Sequence, residues 1–77
     1  MESLTRPPRT DRTYVVVAVD ETARVRPLGT VAAGCRAAAR SLARLLHDSV
    51  PAERLRVLAA GSAPGDLVAR ALALDAR

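Results

Sequence analysis

The first patterned stretch of the chain is Thr13 to Val19, TYVVVAV, an unbroken apolar run rich in β-branched residues. It is too short for a helix and does not alternate, so it predicts a strand covered on both faces, as in the parallel sheets of α/β proteins. Asp20, Glu21 and Thr22 end it in polar residues, and Ala23 to Thr30 predicts a loop around Pro27 and Gly29. With Thr30 as N-cap, Val31 to Asp48 predicts the long helix. At about 100° per residue, Val31, Cys35, Ala38, Ala39, Leu42, Leu45 and Leu46 share one face, opposite Arg36, Arg40, Arg44 and His47. Ser49-Val50-Pro51 stops that helix. Leu55 to Ala59 predicts a second strand, Gly61 to Gly65 a turn, and Asp66 to Ala73 a second helix with Leu67, Val68, Ala71 and Leu72 on one side. Strand, helix, strand, helix in short alternation predicts an α/β fold, a small βαβα unit with parallel strands. Residues 1–12 carry Pro7-Pro8 and no apolar period and predict a flexible leader, leaving 13–77 as a single domain.

Composition makes this core thin. The apolar fraction is 49 %, but alanine supplies much of it and Tyr14 is the sole aromatic residue. A chain this small ordinarily needs a disulfide, a metal or a partner. Cys35 is the only cysteine and His47 the only histidine, so neither an internal disulfide nor a metal-ligand spacing is available. Association is therefore expected to complete the fold, as a homo-oligomer or on a larger protein, through Val31, Cys35, Ala38, Leu42 and Leu45. A charge at Leu42 is then expected to break folding and assembly together.

The net charge of +4 is carried entirely by arginine, an enrichment that, like the alanine, matches GC-rich codon usage. No aromatic residue interleaves with the arginines to stack bases, so nucleic-acid binding is not the favoured reading. No apolar run reaches the length of a membrane span, and the N-terminal residues with Glu2 lack the apolar segment of a secretory signal; the expectation is a cytoplasmic protein.

Each chemical candidate has a plainer structural reading beside it. Gly61-Ser62-Ala63-Pro64-Gly65 could cradle a phosphate on backbone N–H groups, but it has neither phosphate-loop nor dinucleotide-loop spacing, and a strand-to-helix turn accounts for it. Cys35 and His47 lie at opposite ends of one predicted helix, about 18 Å apart along its axis, which excludes a nucleophile–base dyad within one chain. Asp20 and Glu21 stand at a strand end, where α/β proteins bind ligands, or are solvated loop residues. Arg36, Arg40 and Arg44 are a solvated helix face, or a surface for nucleic acid or an acidic ligand. No catalytic, cofactor or metal site is assigned.

The order strand, Pro27-Leu28-Gly29-Thr30, alanine-rich helix, then RVLAAGSAPG resembles the C-terminal half of the short-chain dehydrogenase/reductase family over residues 13–74. In that likeness Val15 to Val19 would be the serine strand, and Ala37-Ala38-Ala39 with Ser41-Leu42-Ala43-Arg44 the motif helix. Leu55-Arg56-Val57-Leu58 would be the following strand and Pro64-Gly65 its turn. The resemblance implies a Rossmann-half-like unit, but the family's serine would fall on Val19 or Asp20, its tyrosine on Ala32 or Ala33, and its lysine on Arg36 or Ala37. It therefore implies a non-catalytic subunit without a nicotinamide cofactor, whose surviving helix docks on an intact reductase. The expected function is thus an accessory or interaction subunit; the alternative is a small arginine-rich binder of nucleic acid or of an acidic ligand.

Overall fold

The computed structural model describes residues 11–77 and has three strands and two helices. Strand β1 is Arg12–Val19, β2 is Val25–Ala33, helix α1 is Arg36–Leu46, β3 is Leu55–Ala59 and α2 is Gly65–Asp75. Single 3-10 turns, Ala52–Arg54 and Ala60–Ser62, flank β3. The sheet order is β2-β1-β3, and β1 is antiparallel to both neighbours. The parallel βαβα unit expected from the sequence is thus corrected to an antiparallel three-stranded sheet with a helix on each face. Most of the expected leader, residues 1–10, lies outside the described residues, while Arg12 already belongs to β1.

The correction has a definite origin in Val25–Ala33, expected as loop and helix start and found as a nine-residue strand. Its inward positions hold Pro27, Gly29, Val31 and Ala33, which are buried, and only the last two read as apolar strand residues. The five residues from Asp20 to Arg24 then make a hairpin, since a connection this short cannot carry a parallel crossover. Because β2 and β3 both oppose β1, they run parallel to each other with β1 wedged between them. The chain segment β2-α1-β3 is therefore a crossover whose two strands do not touch.

Strand β1 is buried from Tyr14 to Ala18, as its continuous apolar character requires. Tyr14 and Val16 join Val31, Ala33, Leu55 and Val57 under Ala39 and Ala43 of α1. Val15 and Val17 face the other way, against Ala71 of α2 with Leu58, Leu67 and Val68 around it. Alanine is thus the fully buried residue each helix presses onto the sheet, joined on α2 by half-buried Leu67 and Val68. Leu42, Leu45, Leu46 and Leu72, each placed by helical phase on its helix's apolar face, are 39 %, 77 %, 64 % and 50 % exposed.

Two local devices hold the β1–β2 hairpin and its bulge. At the turn, Oδ1 of Asp20 accepts hydrogen bonds from Thr22 N–H (2.9 Å), Thr22 Oγ1 (2.8 Å) and Arg24 N–H (2.9 Å), while Ala23 takes a φ of +63°. Further along, the register slips between Val16, opposite Gly29, and Val17, opposite Pro27, so Leu28 is the extra residue of a bulge. Gly29 has a φ of +151°, and Asp75 at the end of α2 reaches over it to accept from Thr30 N–H (3.1 Å) and from the Thr30 hydroxyl. Thr30, expected as a helix N-cap, instead clamps α2 to β2.

The Asp20 turn makes a pH prediction. The Thr22 hydroxyl above all, then the Arg24 N–H, hold the Asp20 carboxyl below its ordinary value. A carboxyl depressed in the fold contributes stability above its unfolded pKa of about 3.9 and loses it as pH falls through the lower folded value. Urea midpoints should show the natural protein more stable than Asp20→Asn at pH 7, with the gap narrower at a pH well below about 3.9. A gap that is the same at both pH values would remove the carboxylate from the account of the turn.

Candidate functional site

Helix α1 has three sectors, and the differences among them make it the candidate interaction element. Ala39 and Ala43, one turn apart and fully buried, define the side pressed on the sheet. On one flank lie Arg36, Arg40 and Arg44, all exposed; on the other lie Ala38, Leu42 and Leu45, also exposed, with Leu46 at the end. Arg36 and Arg40 line a small cleft of ≈ 110 Å³ beside Leu55 and Val57 of β3, so the basic flank overhangs the β3 edge. The leucine flank points away from that edge. Neither end of the helix has a side-chain cap, and Arg44 suits the negative dipole of its last turn.

Of the five residues expected to form a partner surface, the structure brings three together. Ala38, Leu42 and Leu45 form one exposed stripe on α1. Val31 is not on the helix: it sits in β2, 7 % exposed, inside the core beneath α1. Cys35 is the residue before the first turn of α1 and is exposed rather than packed. Leu46, on the same predicted apolar face, joins the stripe, because the last turn of α1 leaves it 64 % exposed.

The chemical candidates take structural places. Asp20 is the acceptor of the hairpin turn, and Glu21 pairs with Arg54 at 3.4 Å across a solvent-exposed gap. Gly61 and Ser62 lie in the 3-10 turn and Pro64 precedes the first residue of α2, a strand-to-helix connection with open space at Gly61 and Gly65. Cys35 and His47 are at opposite ends of α1. Among the described residues no three His, Cys, Asp or Glu side chains gather where they could hold a metal, and no helix is long and apolar enough to cross a membrane. Tyr14, the aromatic residue a base could have stacked on, is 5 % exposed.

Comparison with protein-family models, with curated proteins and with solved structures gives no match. The reductase resemblance rests on its sequence motifs alone, and the Pro27–Thr30 segment it assigned to a loop is part of β2.

Proposed function

We propose that this chain is a protein–protein interaction module that self-associates through the leucine flank of α1. The observation that carries the reading is the exposure of Leu42, Leu45 and Leu46 on successive turns of a helix that touches its own sheet through alanine. Apolar side chains at that spacing make a ridge that packs against a like ridge. In a two-fold pair, Ala38 leaves room for a leucine of the opposite copy. Arg36, Arg40 and Arg44 lie on the other flank, so two copies meet without bringing these like charges together. No catalytic step belongs to this reading. The same flank could serve an accessory subunit docked on a larger enzyme. The reductase likeness that named such an enzyme implied a parallel unit, so a second copy of the chain is the partner we favour.

The test is the mass of the assembly. Sedimentation equilibrium should show a dimer of the natural chain, and Leu42→Glu/Leu45→Glu should be a monomer with unchanged far-UV circular dichroism. Because both leucines are exposed in the single chain, the double variant should still fold, with a melting temperature that no longer rises with protein concentration. This departs from the expectation that a charge at Leu42 breaks folding and assembly together. A natural chain that stays monomeric at high micromolar concentration, or a variant that still dimerises, would exclude the α1 interface.

A further inference from the structure

On the opposite side of the sheet from α1, the C-terminal half of α2 and the N-terminal half of β2 enclose an open cleft of ≈ 460 Å³. Its walls combine two kinds of surface. Arg26 comes from β2, Arg70 from the middle of α2 and Arg77 from just beyond its end, and all three are exposed. Between them the floor is apolar, made by buried Pro27 and half-buried Leu74, with Leu28, which packs against the α1-side core, at its border. Among the described residues no carboxylate lines the cleft. Asp75, the nearest in sequence, is turned onto Thr30 and has both oxygens occupied there.

The backbone around this cleft is the least regular in the sheet. Leu28, the extra residue of the β2 bulge, borders the cleft while packing against the α1-side core. The positive-φ Gly29 and the Asp75–Thr30 clamp stand next to it and fix the distance between β2 and the end of α2. The spacing of β2 and α2 at the cleft is therefore set by the fold. The cleft's volume falls within the range of small-molecule sites, about 300–1,000 Å³.

We propose that the β2–α2 cleft binds a small phosphate monoester with an apolar tail. Arg70 and Arg77 offer guanidinium groups to this cleft from α2, with Arg26 at the β2 edge it shares with a second cleft on the α1 side, and the planar fork of arginine matches phosphate oxygens through paired, charge-assisted hydrogen bonds. The hydrocarbon part would lie on Pro27 and Leu74, removing apolar surface from water. Neither part of the site suffices alone: the C-terminal end of α2 carries a negative partial charge that weakens a bare anion, so the tail contributes to affinity and to selection.

Hexyl phosphate is the probe, with inorganic phosphate and hexanol as its two halves. Calorimetry on the full chain should give saturable binding of hexyl phosphate, with each half at least about tenfold weaker. Arg70→Ala/Arg77→Ala should weaken hexyl phosphate by about tenfold or more, and Leu74→Ala should narrow its advantage over inorganic phosphate. Arg70 and Arg77 are exposed, so an unchanged circular dichroism spectrum will show that lost binding is not lost folding. Amide shifts should move in Arg26–Thr30 and Arg70–Arg77. Shifts confined to Arg36–Arg44, equal binding of hexyl and inorganic phosphate, no saturation at millimolar probe, or arginine-dependent binding to anionic lipid vesicles without binding of hexyl phosphate would each overturn the proposal. The site and the α1 interface are on different faces, so either can fail without the other.

Discussion

Replacing Ala39 by leucine should destabilise this protein by about 1–3 kcal/mol, and Ala43→Leu by a similar amount, although both changes add apolar surface and keep a strong helix former. The two alanines are 0 % exposed and lie against Val16, Val57 and the rest of the sheet's α1 face. Their Cβ atoms set how closely the helix approaches the strands. A leucine there has no empty volume to enter, so it must lift α1 or take a strained rotamer, and lifting the helix uncovers the core it seals. For a domain of this size each kcal/mol corresponds to about 4–8 °C in melting temperature, so either variant should melt several degrees or more below the natural chain. The double change should leave little folded protein near body temperature. Leu45→Ala in the same helix should be nearly neutral in the single chain, because Leu45 is 77 % exposed. If Ala39→Leu were as stable as the natural chain, the close contact of α1 with the sheet would be wrong.

Gly29→Ala should cost about 2–4 kcal/mol, from two sources that can be separated. Gly29 holds a φ of +151°, open to glycine and strained for any residue with a Cβ. An added Cβ would also stand 2.7 Å from Oδ1 of Asp75, an atom that is fixed by its bonds to Thr30 and cannot simply swing away. A carboxylate in the last turn of a helix opposes the helix dipole, so Asp75 depends on those donors, and displacing it loosens α2 from β2. In an Asp75→Ala background the clash is gone and only the backbone strain remains. The glycine substitution should then cost at least about 0.5 kcal/mol less, a coupling that a double-mutant cycle by urea denaturation can measure. Strict additivity would mean that the two residues do not meet.

Several elements are visible in the residues themselves. The run Tyr14 to Val17 marks a strand buried on both faces, and it is one. Leu55 to Ala59, expected as the second strand, is β3 with the expected bounds, and Asp66 to Ala73 lies within α2. The step from double-sided burial to parallel pairing fails because a central antiparallel strand between two helices is covered just as fully. Strand β2 escapes a reading by composition because its pleat places proline and glycine at inward positions, where they carry no hydrophobic signature. The length of the Asp20–Arg24 connection, short enough only for a hairpin, was the signal available once Val25 was taken as strand.

The candidate surface follows the same division. Helical phase alone grouped Ala38, Leu42 and Leu45 and set the arginines on another side, since phase is a property of the local backbone. It could not say which apolar residues the sheet would take, because that depends on how near the helix comes. The approach selects alanine for contact and leaves the leucines outside. Nor could spacing in sequence bring Arg26 to Arg70 and Arg77, or Asp75 to Thr30, 45 residues away. The sequence by itself determined local matters: that β1 and β3 extend, that the centres of α1 and α2 coil, and which side chains share a helix face. The tertiary structure decided pairing, burial and the clefts, because each depends on contacts between segments distant along the chain, whose free energy no local pattern contains.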